Sequence, residues 1–138
     1  MGRILAVDYG RRRVGLAISD ELNLTSQGLS TLQISRLAQA IEGVVTTVKK
    51  WDVEKIVVGL PLNMDGSKGP MAEAVDRFVQ ALNGVVLVPV VLLDERLTSV
   101  AAQRVMRDMG VKMRGHKGMV DRISATLLLQ TFLQQTKT

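Results

Sequence analysis

The chain has no cysteine, a single histidine (His116), three prolines, and only one tryptophan, one tyrosine and two phenylalanines in 138 residues. Without cysteine there is no disulfide framework, no thiolate nucleophile and no zinc–thiolate site, a composition that fits the cytoplasm. Four aromatics (Tyr9, Trp51, Phe78, Phe132) are too few for recognition by base stacking. Trp51 and Phe78 fall in helix-like segments, where core packing is their expected use. No apolar run reaches the ~20 residues that cross a bilayer. The longest, Val85 to Leu93, has the length of a strand and contains Pro89. The first apolar stretch carries Asp8 and no small-residue cleavage site follows it, so no secretory signal is expected.

Apolar residues make up 46% and charged residues 22%, with a mean hydropathy of +0.18. That is enough apolar material for one domain, expected to span residues 1–138. Lys and Arg number 18 against 13 acids, a net charge of +5 and a pI of about 10.0. The balance favours a polyanionic partner, and with so few aromatics its contacts should be mostly to phosphates.

Arg3 to Val7 is apolar after its first residue, as in a strand covered on both faces, and runs into Asp8-Tyr9-Gly10. A second strand is expected through Ser19 and a third between Thr25 and Gln33, joined as an antiparallel meander. Ile34, Leu37, Ile41, Val44, Val45 and Val48 then share one helical face, closed by Lys49-Lys50. Glu54 to Leu60 reads as a buried strand stopped by Pro61. Met71, Ala74, Val75, Phe78, Val79 and Leu82 predict a second helix ending at Asn83-Gly84, and Val85 to Leu93 a further strand. Thr98 or Ser99 caps an expected short helix through Met109. Val111 to Gly118 reads as a positively charged loop, and a last helix is expected over about Met119 to Gln134.

Strands linked by helical crossovers must be parallel, so the sequence predicts an α/β domain in which strands ending at Val7, Leu60 and Leu93 share one edge. Asp8, Asn63 and Asp94-Glu95 are thereby brought together. Carboxylates at such an edge, without cysteine, suit hard oxygen-ligated cations such as Mg²⁺ or Mn²⁺, the requirement of metal-assisted phosphodiester cleavage. Asp8 and Glu95 are the first two candidates, and Asp121 the third because its helix can lie across the edge. Each has a plain alternative: Asp8 as the start of a turn, Glu95 or Asp94 as a helix-start carboxylate, Asp121 as a helix-start acid paired with Lys117. Asp65-Gly66 reads as a turn; Glu42, Glu73 and Asp76 as polar helix faces. Arg11, Arg12 and Arg13 form either a solvated hairpin tip or a holder for a phosphate backbone.

Four ordered motifs carry a family resemblance over nearly the whole chain: VDYGRRRVGLAISD (Val7 to Asp20), IVVGLPLNMDGS (Ile56 to Ser67), LDERLTS (Leu93 to Ser99) and KGMVDRISATLLL (Lys117 to Leu129). They resemble the YqgF nuclease family, also described as Holliday-junction-resolvase-like proteins or pre-16S rRNA nucleases. The resemblance implies a ribonuclease H-like fold: a mixed five-stranded sheet in the order 3-2-1-4-5, flanked by helices on both faces. It selects Asp8, Glu95 and Asp121 as catalytic acids holding Mg²⁺ or Mn²⁺. The strand-four position, acidic in some relatives of the wider superfamily, is here followed by Gly59-Leu60-Pro61-Leu62-Asn63, and Asn63 offers a neutral ligand at best. Arg11, Arg12, Arg13, Arg96, Lys112, Arg114 and Lys117 are the expected nucleic-acid contacts. The expected activity is hydrolysis of a phosphodiester at the 5′ end of pre-16S rRNA, by a monomer or homodimer that meets ribosomal particles. The alternatives are a resolvase for four-way DNA junctions and a non-catalytic RNA-binding module. Asp8-Tyr9-Gly10 with Gly15 also resembles the phosphate hairpin of actin-like ATPases, but those close two such domains on a nucleotide.

Overall fold

Period-2 and period-3.6 patterns alternate along this chain, and they become a mixed sheet with helices on both sides. The computed structural model describes the backbone of residues 2–97 and 117–136, and side chains for 2–96 and 123–136. The strands are β1 (Arg3–Tyr9), β2 (Arg13–Ser19), β3 (Ser26–Gly28), β4 (Leu32–Gln33), β5 (Val53–Leu60) and β6 (Val90–Asp94). Among the described residues the helices are α1 (Leu37–Trp51), α2 (Pro70–Asn83) and α3 (Lys117–Thr136), with a 3-10 turn at Glu95–Leu97.

Sheet order is β3-β2-β1-β5-β6, with β4 also paired to β2. β1 and β2 are antiparallel; β1–β5 and β5–β6 are parallel. This is the expected order 3-2-1-4-5, with one difference. The third strand is split: Ser26–Gly28 pairs with Ala17 to Ser19, while Leu32–Gln33 pairs with Arg13 and Val14. Gly28 ends the first piece, as a glycine weakens a strand interior.

The strand predicted from Val85 begins only at Val90. Pro89 has no N–H to give a ladder, although its carbonyl accepts from Ile56 N at 2.9 Å. Before it, the Val85 and Val86 amides both donate to Leu82 O, finishing α2, and Leu87 is fully exposed. The short helix expected from Thr98 or Ser99, and most of the basic loop with Lys112, Arg114 and His116, lie outside the described residues. Lys117 and Gly118, read as part of that loop, already belong to α3.

α1 is opened by Gln39, whose Oε1 accepts from Ser35 N (2.6 Å) and Arg36 N (3.2 Å), and is closed by Asp52 in the left-handed region. Lys49 and Lys50 complement the dipole at that end. α2 starts with Pro70, whose missing N–H is no loss at a first helical position.

Two cores result. Leu5 and Val7 of β1, Val14, Leu16 and Ile18 of β2, and Ile56, Val58 and Leu60 of β5 meet Ala40 and Val44 of α1 and Val75, Phe78 and Leu82 of α2. The alternate residues Ile4, Ala6, Ala17 and Val57 meet Ala125, Leu128, Leu129 and Leu133 of α3, with Leu93 beside them. Small residues on both sides of this second layer let α3 lie close over β1 and β2. Among the described residues no helix is long and apolar enough to cross a membrane.

Candidate active site

Side-chain alternation decides what stands where β1, β5 and β6 end. In β1, Leu5 and Val7 face α1 and α2, whereas Ile4 and Ala6 face α3. Tyr9 continues the first set and stacks on buried Phe78, ring centroids 4.5 Å apart. Asp8 therefore falls on the α3 face. It pairs in register with Gly15 of β2. Gly59 shares the parity of Val57 on the neighbouring strand, and Glu95 follows directly on the end of β6.

Glu95 reaches back over Gly59. A β-carbon built at position 59 would stand 2.9 Å from Glu95 Cγ and 3.0 Å from its Cδ. The carboxyl thereby meets Asp8 across the strand between them. Half-burial, the charge of Asp8 and a hydrogen bond to Asp8 push Glu95 up to about 8, with a smaller contribution from Asp94. A carboxyl raised that far favours its protonated form, and the two side chains are joined by a hydrogen bond. The arrangement is crowded electrostatically, and a bound cation would relieve it.

Asp94 takes another course. Its carboxylate accepts from Arg96 Nε (2.9 and 3.1 Å), from Arg96 Nη2 (2.7 Å) and from the Arg96 backbone N–H (2.9 Å), which holds it below the usual carboxylate range. Arg96 Nη1 also donates to Met64 O at 3.1 Å, tying β6 to the β5–α2 loop. In that loop Asn63 Nδ2 donates to Ser67 Oγ (2.9 Å). Asp65 accepts from the Ser67 amide (2.9 Å) and hydroxyl (2.6 Å), so Asn63 and Asp65 shape the turn. Asp76, on the polar face of α2, pairs with Lys68 at 2.7 Å.

The β1–β2 turn is the basic region. Gly10 N–H donates to Arg13 O at 2.9 Å, and a β-carbon at Gly10 would stand 2.6 Å from that oxygen, so the turn requires glycine there. Arg11 and Arg12 are exposed, and an open cleft of about 630 Å³ is lined by Arg11, Arg12, Arg13, Gln33, Ile34 and Ser35. The cleft begins two residues after Tyr9 in the chain, and its Ile34 packs into the core on the α1 and α2 side.

Asp121 and Lys117 lie in α3; their side chains, like Lys112 and Arg114 altogether, are outside the described residues. α3 begins at Lys117, which puts Asp121 at the start of its second turn and one turn before buried Ala125. Among the described residues no group of three acidic or histidine side chains is gathered to hold a metal. Gly59 is the residue that sequence reasoning passed over. It was visible only as a missing side chain at the end of a buried strand.

The family described as RuvX, Holliday junction resolvase, matches residues 2–135. Relatives named "Putative pre-16S rRNA nuclease" include one from Roseiflexus, 37% identical over 136 residues and covering 99% of this chain and 96% of its own. Another, from Caldanaerobacter subterraneus, is 42% identical over 137 residues, 98% of each chain. Among solved structures, Thermus thermophilus RuvC in complex with a Holliday junction substrate superposes with a TM-score of 0.63 at 14% identity, over 98% of this chain and 96% of that one. The fowlpox virus resolvase bound to junction DNA gives 0.57 at 12%, over 99% of both. These likenesses show the ribonuclease H-like fold. Matched in sequence along nearly its whole length, the chain belongs to the RuvX (YqgF) family of Holliday-junction-resolvase-like proteins.

Proposed function

We propose that residues 1–138 act as one ribonuclease H-like nuclease domain that uses a divalent cation to hydrolyse phosphodiester bonds, and that its substrate is the 5′ region of pre-16S rRNA. The observation that carries the reading is the meeting of Asp8 and Glu95 on the α3 face of the sheet edge. The substrate rests on relatives of about 40% identity that bear the rRNA nuclease name. In this reading the protein works in the cytoplasm, where ribosomal particles are its partners.

The donor set fits Mg²⁺ or Mn²⁺. Asp8 and Glu95 offer only oxygens, close enough to share a hydrogen bond, and neither cysteine nor histidine occurs among the described residues. Asp121 is the third proposed ligand. In its support, its backbone lies one turn before Ala125, on the stripe of α3 that packs against the face from which Asp8 projects. When bound, the cation supplies a lowered pKa for water and positive charge at the leaving oxygen. Asp8 and Glu95 orient the site. Arg11, Arg12 and Arg13, with Lys112, Arg114 and Lys117, hold the neighbouring phosphates and so fix which bond is presented. Arg96, partnered with Asp94, contributes its charge from the rim.

The deciding experiment is cleavage of an end-labelled RNA carrying the immature 5′ region, with Mg²⁺ or Mn²⁺ and with EDTA. Asp8→Asn should lose about a thousandfold or more of the rate, several kcal/mol of barrier, while folding and RNA binding persist. Undiminished cutting by that variant, or by the wild type in EDTA, would end the metal reading. A four-way DNA junction run alongside tests the second reading, which the resolvase-like fold supports; preferential junction cutting would put it first. Replacing Arg11, Arg12 and Arg13 with Gln should weaken RNA binding. It should also flatten the salt dependence, by about 0.7 in logarithmic slope for each phosphate that is no longer neutralised. An unchanged slope would show that the hairpin does not touch the backbone.

A further inference from the structure

Gly59 sits near the end of the strand that separates Asp8 from Glu95, with no side chain on the face where they meet. Its backbone is outside the left-handed region, so no conformational demand explains the glycine. A glycine in the interior of a buried strand lowers stability, because it adds unfolded-state freedom and packs nothing. What the gap accommodates is the Glu95 side chain: Cγ and Cδ lie 2.9 and 3.0 Å from where a β-carbon would be, and Oε1 lies closer still. Real β-carbons do not approach other atoms so closely. The glutamate enters from β6, and to reach β1 it has to pass over β5 at this position.

We propose that Gly59 is a positioning residue for the catalytic site, the gap through which Glu95 reaches Asp8. The inference rests on the proposed role of that pair. Any side chain at position 59 moves the glutamate carboxyl away from Asp8 while leaving the strand, its ladder and the rest of both cores in place. The neighbours of Glu95 in the chain are anchored to other elements, Asp94 as the ladder partner of Leu60 in β5 and Arg96 through Nη1, which donates to Met64 O, so a compensating shift of β6 would have to break both.

The test is a double-mutant cycle in the metal-free protein. Asp8→Asn and Glu95→Gln are combined, and urea midpoints are read in the native background and again with Gly59→Ala. In the native background the two substitutions should be non-additive, because the carboxyls touch. With Gly59→Ala they should become additive. On the full enzyme Gly59→Ala should lower kcat about a hundredfold, as expected of an ångström-scale misplacement, with RNA affinity unchanged. Added to Glu95→Gln, it should lower kcat no further.

Coupling that survives Gly59→Ala would overturn the proposal, as would rate losses that multiply in the double variant. Gly59→Ser gives a second variant should alanine impair folding, with the same expectations. The two readings separate cleanly: a wild type that shows the Asp8–Glu95 coupling and its loss in Gly59→Ala, yet cuts no RNA, sustains the positioning and sinks the nuclease.

Discussion

The two faces of the sheet are built from the same strands, yet they are made of different matter. Toward α1 and α2 the side chains are large: Leu5, Val7, Leu16, Ile18, Ile56 and Val58 against Phe78, Val75 and Leu82. Toward α3 the alanines Ala6, Ala17 and Ala125 are interspersed among Ile4, Val57, Leu128 and Leu129, and the same rows end in Asp8 and in the bare Gly59 beneath Glu95. Strand alternation makes the division possible, since successive residues serve opposite faces. One face holds the fold together by burial; the other keeps its layer thin where polar groups must converge. Tyr9 and Asp8 show the division within two residues, one stacked on Phe78 and the other meeting Glu95.

This contrast can be broken at several points. The largest stability effect belongs to the first face. Phe78→Ala should cost about 3–5 kcal/mol by emptying a fully buried site, read as a lower urea midpoint, while the rate per folded molecule stays near wild type. A catalytic loss out of proportion to the unfolded fraction would show that the faces are not separable. Ala17→Leu should cost less, about 1–3 kcal/mol, because it overpacks the layer under α3. Here activity should fall together with stability, since lifting α3 also moves the segment carrying Asp121. If the rate survives in the folded fraction, α3 is not a part of the site.

The smallest effect is one of pH, at a residue remote from both. Asp20 accepts from the Leu24 and Thr25 amides at 2.7 and 2.8 Å, and the Thr25 hydrogen bond is first among the causes that lower its pKa. A depressed folded-state pKa stabilises above the ordinary carboxylate value and is lost as pH falls through the folded one. Asp20→Asn should therefore lower stability slightly at neutral pH and flatten the acid limb below about pH 4, where the wild type loses the same contribution and the two converge. An unchanged limb would mean that the turn at 20–25 does not sense the charge.

Much of this was legible from local pattern. The apolar runs and helical stripes place every major described element within a few residues, because burial period is a property of neighbours in sequence. The convergence of Asp8 and Glu95 followed from parallel connections alone. The misplaced features have nonlocal or punctual causes. Val85 to Leu87 look like strand but complete α2 by bonding to Leu82 O, and Pro89 withholds the donor a longer ladder needs. The choice between Asp94 and Glu95 turned on Arg96, two residues on, whose reach to both Asp94 and Met64 no periodicity describes.

By itself the sequence determined which segments are strands and helices, which residues lie on each face, and that acids end β1 and follow β6. Alternating burial and the geometry of crossover connections require no more than that. Only the tertiary structure decided that Glu95 turns inward over β5 while Asp94 is bound by Arg96, and that a missing side chain at Gly59 makes the meeting possible. Such a contact joins three strand ends separated by tens of residues, and the space between them exists only after the strands have paired.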